Sequence, residues 1–213
     1  MSWFKYLLGA ALVVTALATS GARAQLANGG FEDPVTTDGP PFVGSWEGFT
    51  SGAGAQAVNS TAMPRSGTQN LALSIDHTDN AFAGVFQDVP NLAPGTPVTF
   101  SGYHMTPSNP LDLGVEIRIE WRNSGSNTEV SRTPNLTAPP TGQYSPFSLA
   151  STVPTGANTA RVVYAVQTFG SEPTNTGVVY VDDVSFVPEP SSALIVLGGL
   201  GLACVRRRSG RRL

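Results

Sequence analysis

Two glutamates four residues apart, Glu116 and Glu120, are the first pair of side chains that could do chemistry. Glycosidases cleave sugar chains with two carboxyl groups about 5–9.5 Å apart. Residues 114–122 alternate between apolar and charged side chains, a pattern typical of a β-strand with one buried face. Four strand residues separate the two carboxylates by about 13 Å, which is too far for this reaction. We therefore predict a solvated ladder of charges here, with Trp121 in the core.

The other residues of catalytic type form no recognised pattern. His77 and His104 are the only histidines, and they lie far apart in the sequence. The sequence contains no His-Glu-x-x-His, no Gly-x-Ser-x-Gly elbow and no glycine-rich turn that could cradle a phosphate. These features predict a protein that is not an enzyme.

The central part of the chain, residues 25–187, is strongly acidic. It contains fourteen acidic residues, five arginines and no lysine, which leaves nine uncompensated negative charges, against −3 for the whole chain. Nucleic acids require a basic face, so they are excluded as partners. The balance suits a protein that meets neutral glycans or binds cations. The only cysteine, Cys204, lies outside this part, so its stability must come from packing or from a metal.

Eight runs rich in β-branched and aromatic residues are separated by clusters of glycine, proline and asparagine. The runs are 42–50, 70–75, 82–89, 97–105, 114–122, 144–153, 159–167 and 177–186. Strands at this spacing predict an all-β protein. We expect a single jelly-roll β-sandwich over residues 25–187, flanked by two targeting segments.

The first targeting segment is the N-terminal 24 residues. A weakly positive start is followed by an apolar run, residues 6–18, and then by Ala22-Arg23-Ala24. This order is typical of a secretory signal peptide cleaved after Ala24. The alternative is an uncleaved N-terminal anchor. In both cases the sequence predicts export.

The second targeting segment, residues 188–213, ends the chain. Pro188-Glu189-Pro190 precedes an uncharged run, residues 191–205, and then five arginines. As a helix this run would measure about 22 Å, which is short for a bilayer core of roughly 30 Å. We expect it to insert transiently, with the arginines on the cytoplasmic side.

These three parts together resemble the PEP-CTERM sorting signal. In that family an exosortase, a membrane cysteine protease of Gram-negative bacteria, cuts near the Pro-Glu-Pro. The resemblance implies a cell-surface or extracellular-matrix protein in a bacterium that makes extracellular polysaccharide. The alternative is an ordinary C-terminal membrane anchor.

A second resemblance covers most of residues 25–187. Its motifs are Asn28-Gly-Gly-Phe-Glu32, Ser66-Gly67-x-x-x-Leu71, Phe86-Gln-Asp-Val89, Leu92-x-Pro-Gly-Thr-x-Val-Thr-Phe-Ser101 and Val179-Tyr-Val-Asp-Asp-Val-Ser-Phe186. In this order they resemble the galactose-binding-like jelly rolls of family 4/9-type carbohydrate-binding modules. The resemblance implies a non-catalytic module that holds sugars against aromatic faces, for which the candidates are Trp46, Tyr103, Tyr144 and Phe169. Trp46 could equally plug the end of the core. The alternative function is a structural or adhesive surface protein with a protein partner.

The same resemblance implies a structural calcium ion. The matching acids are Glu32, near the first strand, and Asp182 and Asp183 in the last strand. Backbone carbonyls of the turn at Ser66 would complete the shell of six to eight oxygens that Ca²⁺ takes. If Tyr180, Val184 and Phe186 face inward, Asp183 points the opposite way from them, and we favour it slightly as a ligand.

Overall fold

The computed structural model describes residues 26–108, 111–168 and 176–189. These residues form ten β-strands and no α-helix. The strands are β1 (Glu47–Thr50), β2 (Ala55–Ser60), β3 (Asn70–Ile75), β4 (Phe82–Val89), β5 (Pro97–Met105), β6 (Gly114–Asn123), β7 (Thr128–Arg132), β8 (Ser145–Thr152), β9 (Thr159–Gln167) and β10 (Gly177–Pro188).

The strands form two five-stranded sheets that pack face to face. Sheet A has the order β1-β4-β9-β6-β7, and sheet B has the order β2-β3-β10-β5-β8. Every pair of neighbouring strands is antiparallel. The chain passes repeatedly from one sheet to the other, as it does in a jelly roll. The predicted all-β sandwich is confirmed.

The core lies between the two sheets and follows directly from the alternation of side chains along each strand. In β6, the side chains of Val115, Ile117, Ile119 and Trp121 are all buried. Residues two apart on a strand share a face, so this run directs one apolar face inward and one charged face outward. The prediction that Trp121 is a core residue is confirmed.

One polar pair interrupts this apolar interior. His104 of β5 and Tyr164 of β9 lie on opposite sheets and are both buried, and the His104 Nδ1 lies 2.7 Å from the Tyr164 hydroxyl. Because each group gives the other a hydrogen-bond partner, the pair links the two sheets without leaving these polar atoms unsatisfied.

The strand boundaries agree with the predicted runs at β3, β4, β5 and β9. The first predicted run is too long, because residues 42–46 precede β1 and only Glu47–Thr50 pair with β4. The last is too short, since β10 continues to Pro188. Two strands, β2 and β7, were not predicted.

Within the part of the chain that the structure describes, no helix is long and apolar enough to cross a membrane. The predicted signal peptide and the predicted sorting helix lie outside the described residues.

Candidate functional site

Trp46 fills one end of the core. Its side chain is 1% exposed, and its ring centroid lies 5.0 Å from that of Phe31. Its Nε1–H donates a hydrogen bond of 2.9 Å to the carbonyl of Asn28. The burial leaves no ring face for a glycan, so Trp46 belongs to the core rather than to a binding surface.

Tyr103 lies on the outer side of sheet B. The prediction that it faces away from Val98 and Phe100 is confirmed, because those two residues are buried and Tyr103 is half-buried. The guanidinium carbon of Arg65 lies 3.5 Å from the centroid of the Tyr103 ring. A sugar could therefore stack on this ring face only after Arg65 had moved away.

Tyr144 and Phe169 complete the predicted aromatic set. Tyr144 donates a hydrogen bond from its hydroxyl to the carbonyl of Met63 (2.9 Å) and accepts one from the Asn70 Nδ2 (3.2 Å). Burial raises the pKa of Tyr144 to about 12, so the hydroxyl stays neutral and tied to the backbone. Phe169 lies outside the described residues. The predicted aromatics that the structure describes do not form a row of exposed rings.

A different aromatic cluster lies on the outer side of sheet A, which we call the sheet A face. It consists of four phenylalanines: Phe42, Phe49, Phe82 and Phe86. Their ring centroids are 5.1 Å apart for Phe42 and Phe86, 6.1 Å for Phe49 and Phe82, and 6.3 Å for Phe49 and Phe86. Phe42 and Phe82 are each 41% exposed. This cluster presents apolar ring surface to solvent.

Strand register fixes what lies beside these rings. Three rows cross sheet A: Phe49–Gly84–Ala165–Glu116, Glu47–Phe86–Val163–Arg118 and Asp88–Arg161–Glu120. The middle strand, β9, contributes the short side chains of Val163 and Ala165 between the rings on one side and the charges of β6 on the other. Gly84 has no side chain that could stand between the rings. A Cβ at this position would lie 2.5 Å from the Phe49 ring.

The charged side of the sheet A face is a connected network. Arg118 donates to Glu116 (3.0 Å) and to Glu120 (2.9 Å). Because one guanidinium bonds both carboxylates, they lie closer together than the strand spacing predicted. The Glu116 Oε1 also accepts hydrogen bonds from the Asn135 Nδ2 (2.8 Å) and the Gln167 Nε2 (2.7 Å). Glu120 is buried among these neighbours. The ladder predicted as solvated is therefore largely paired, because Arg118 bonds both glutamates, and Asn135 and Gln167 also bond Glu116.

Arg161 joins the charged and aromatic parts. Its guanidinium bonds Asp88 through two nitrogens, at 2.7 and 2.8 Å, and its Cζ lies 3.9 Å from the centroid of Phe86. A bidentate pair of this kind fixes the planar guanidinium in one orientation. Shallow depressions flank the face at both ends, one beside Phe42 and Asp88 and the other beside Glu116 and Gln167.

The four predicted calcium ligands do come together, around the loop 65–69. Asp182 is fully buried, and its carboxylate accepts the N–H groups of Arg65 (2.8 Å), Ser66 (3.1 Å) and Asp183 (2.7 Å). Asp183 pairs with the Arg65 guanidinium and accepts from the Ser66 Oγ at 2.6 Å. Two adjacent carboxylates thus hold the first part of the loop, at Arg65 and Ser66.

Glu32 holds the other half of the same loop. Its carboxylate accepts from the backbone N–H groups of Thr68 (2.8 Å) and Gln69 (3.1 Å) and from the Thr68 hydroxyl (2.6 Å). These bonds lower the pKa of Glu32. Gly67 has φ +61°, and any Cβ there would collide with the Glu32 carboxylate, so glycine suits this close approach.

In this structure the carboxylates hold the loop through hydrogen bonds and do not form an oxygen shell. The sequence suggested that the turn offers carbonyl oxygens, but Arg65 and Ser66 direct N–H groups at Asp182. Among the described residues, no group of three or more His, Cys, Asp or Glu side chains is placed to hold a metal ion. Ca²⁺ takes six to eight oxygens, and in this structure the carboxylates bond N–H and O–H groups of the loop instead. Calcium binding here stays a prediction.

The inward alternation in β10 also differs from the prediction. Val179 and Val181 are buried before the acids, and Val184 and Phe186 after them, whereas Tyr180 faces outward. A β-bulge between Asp182 and Ser185 shifts the alternation by one residue. The sequence could not show this shift because Asp183 adopts φ +49°, which is rare for residues other than glycine.

The end of β10 carries the predicted sorting residues Pro188 and Glu189. Pro188 pairs with Val98 of β5. The Glu189 N–H donates to the carbonyl of Pro97 at 2.9 Å, and its Oε1 accepts from the Thr99 hydroxyl at 3.0 Å. Ala24 and Pro190, the other predicted processing residues, lie outside the described residues.

Residues 186–212 match the PEP-CTERM protein-sorting motif. The C-terminus is a PEP-CTERM sorting signal. The PEP-CTERM motif indicates an exported protein that is sorted to the cell surface. Its first four residues, 186–189, belong to the folded sandwich. No curated protein matches the chain.

Three solved structures are similar in fold. The enzymatically active domain of tailspike protein 4 from bacteriophage CBA120 aligns with a TM-score of 0.58 at 16% identity, over 76% of this chain and 21% of that one. TmCBM61, solved with β-1,4-galactotriose, aligns at 0.50 and 14% identity, over 77% and 97% of the two chains. The CBM22-1 xylan-binding domain of Paenibacillus barcinonensis Xyn10C aligns at 0.50 and 15%, over 76% and 92%. This chain therefore shares the jelly-roll fold of carbohydrate-binding modules, and it spans about a fifth of the tailspike chain.

Proposed function

We propose that the mature protein is a non-catalytic glycan-binding module, and that the sheet A face is its binding surface. The observation that carries this proposal is the phenylalanine cluster beside a fixed row of polar side chains. Apolar faces of sugar rings pack on aromatic rings, while amides and carboxylates bond the hydroxyl groups. Phe42 and Phe82 supply the first kind of contact, and Glu116, Asn135 and Gln167 supply the second.

The charge on this face favours a neutral glycan. Four of the five arginines in residues 25–187 lie on β6, β7 and β9, and each is close to a carboxylate: Arg118, Arg122, Arg132 and Arg161. No arginine of the described face is left to attract an anionic sugar chain. The nine excess negative charges of the domain would repel such a chain as a whole.

The arrangement of Glu116 and Glu120 argues for binding without hydrolysis. Both carboxylates bond the same guanidinium, that of Arg118. Hydrolysis needs two carboxyl groups that are free to face the glycosidic bond, whereas both of these are engaged by one arginine side chain. A purified protein that released reducing ends from polysaccharide, and lost this activity in Glu116→Gln, would contradict the non-catalytic role.

The structural neighbours support the class of ligand rather than its identity. One is a β-1,4-galactotriose complex and another is a xylan-binding domain, so this fold accommodates these glycans in other proteins. For this chain we propose the polysaccharide that the producing cell secretes around itself, since the protein is sorted to the cell surface.

We further propose how the protein reaches that location. A signal peptidase removes residues 1–24, the uncharged run 191–205 enters the membrane transiently, and an exosortase-type protease cuts near the Pro-Glu-Pro. The PEP-CTERM motif supports this route. The mature protein then lies at the cell surface or in the matrix of a Gram-negative bacterium.

Binding of purified mature protein to the cell's own polysaccharide, to β-1,4-galactan and to xylan tests the binding proposal. Phe82→Ala and Gln167→Ala remove one apolar and one polar contact, and each should weaken binding at least about tenfold. Tyr180→Ala is the matched control, because it removes a half-buried ring from the outer side of sheet B. Equal losses of affinity in Phe82→Ala and Tyr180→Ala would contradict a binding site on sheet A. No binding to any glycan would favour a structural or adhesive role.

A further inference from the structure

Two residues of the Pro-Glu-Pro sequence, Pro188 and Glu189, bond or pair with β5 at the end of sheet B. Val187 and Pro188 pair with Thr99 and Val98 of β5. Neither Pro188 nor Pro97 has an N–H group that could donate to the other strand. The last backbone bond between β10 and β5 is therefore the one that the Glu189 N–H donates to the Pro97 carbonyl, at 2.9 Å. The Glu189 side chain adds a second bond, to the Thr99 hydroxyl. Pro188 and Glu189 are thus part of the folded domain.

The sequence leaves little chain between this ladder and the apolar run. Only Pro190, Ser191 and Ser192 separate Glu189 from Ala193, where the apolar residues begin. Three extended residues span about 10 Å at most. A protease that cuts between the fold and the membrane has only this short segment to act on.

Extended peptide substrates bind by adding a strand, which uses their backbone N–H and C=O groups. Residues 187 and 188 are already paired with β5, and the Glu189 N–H already donates to the Pro97 carbonyl. A protease could take these residues only after the strand end had peeled away and the Glu189 bonds to Pro97 and Thr99 had broken. A protease that cuts beyond Glu189 would not have to break these bonds first.

We propose that the sorting protease cuts C-terminal to Glu189, and that Pro188 and Glu189 remain in the mature domain as the end of β10. This inference rests on the proposed processing by an exosortase-type protease. The cut breaks one peptide bond and consumes one water: the carbonyl carbon on the domain side gains the hydroxyl and becomes a carboxylate, and the nitrogen on the tail side gains the hydrogen and leaves as an amine.

The C-terminal tryptic peptide of the protein isolated from the cell surface tests the position of the cut. No lysine or arginine occurs between Val162 and Val205, so trypsin releases one peptide that begins at Val162 and ends at the processed terminus. We expect its mass to include Pro188 and Glu189. A terminus at Pro188 or earlier would overturn the inference while leaving processing intact. A peptide that runs to Arg206 would instead show that no processing occurs, and both proposals would fail.

Hydrogen exchange in the same mature protein tests the reason for the inference. The Glu189 amide should exchange at least about tenfold more slowly than in an unfolded peptide of the same sequence, because it is bonded to Pro97. Thr99→Val removes the side-chain bond to Glu189 and should speed this exchange, whereas Thr152→Val, an exposed position on β8, should not. Exchange at the unfolded rate would mean that the ladder ends before Glu189, which overturns the inference.

Discussion

The buried imidazole of His104 makes the stability of this fold sensitive to pH. Its side chain is 1% exposed, and burial lowers its pKa from 6.5 to about 4. In the unfolded chain the imidazole takes up its proton near pH 6.5. Between pH 6.5 and 4 the unfolded chain therefore binds more protons than the folded chain, so the free energy of unfolding falls as the pH falls through this window. The total loss is about 3 kcal/mol.

Urea unfolding at about pH 7.5 and about pH 4.5 measures this loss. His104→Gln should flatten the dependence of the free energy of unfolding on pH, even if the variant is less stable at every pH. His77→Gln changes an exposed histidine and should keep the slope of the wild type. If His104→Gln keeps that slope as well, another group controls the acid sensitivity.

Two of the aromatic residues that the sequence offered as sugar contacts have ring faces that other residues cover. Trp46 is buried, and Tyr103 is covered by Arg65, because of contacts between segments distant in sequence. Phe82 and Phe86 were available as a signal, since they alternate with Ala83 and Val85 in β4. What the sequence could not show is that β1 lies beside β4 and brings Phe49 to the same cluster.

At the scale of elements, the loop 65–69 depends on one buried carboxylate. Asp182 accepts three backbone N–H groups and is fully buried. In Asp182→Asn one carboxylate oxygen becomes an NH₂ group that faces N–H donors, so at least one donor loses its partner. We expect a loss of about 2 kcal/mol in the free energy of unfolding. Asp183→Asn alters a partly exposed pair with Arg65 and should cost less than about 1 kcal/mol. Equal effects of the two substitutions in urea unfolding would contradict this role of Asp182.

Asp182→Asn, together with Glu32→Gln, also tests the calcium prediction. Calcium that binds only the folded chain raises the melting temperature as its concentration rises. A gain in millimolar CaCl₂ over EDTA in the wild type, lost in Glu32→Gln and Asp182→Asn, would establish the ion. Identical melting curves in both buffers would mean that the N–H and O–H donors hold the loop without an ion.

The strands that sequence reasoning missed are edge strands with weak patterns. All five residues of β7 are exposed, so no alternation of apolar and polar residues marks it. In β2 the inward residues Ala55 and Ala57 are small, and β-propensity is low for alanine. Both strands form because a neighbouring strand offers unpaired backbone groups, which no local sequence pattern reveals.

For the whole molecule, the paired charges of the sheet A face predict how binding responds to salt. A neutral glycan held by ring packing and hydrogen bonds should bind with nearly the same affinity from about 50 to about 500 mM NaCl, because screening acts mainly on exposed charges. Titration calorimetry with the best polysaccharide checks this. Affinity that falls steeply with salt would indicate an anionic ligand and would contradict the neutral-glycan proposal.

The overall architecture was the most predictable feature, because it depends on many independent runs. Eight runs rich in β-branched and aromatic residues, separated by glycine and proline, were sufficient to predict a sandwich, and an error of a few residues in one run does not change that result. The order of strands within the two sheets depends on pairings across the whole chain, such as β9 between β4 and β6. No composition or spacing in the sequence specifies those pairings.

The position of β10 also determines how the protein would carry mechanical force. Before the cut, while the chain beyond Glu189 is still held in the membrane, a glycan bound on sheet A would pull on the domain from the other end, and the tension would enter through β10. This strand lies inside sheet B, paired with β3 over Gly177–Val181 and with β5 from Tyr180 to Pro188. A pull along the strand loads these hydrogen bonds in shear, so they must fail together rather than one at a time, and the bulge at Asp182 and Asp183 is the place where that resistance is interrupted.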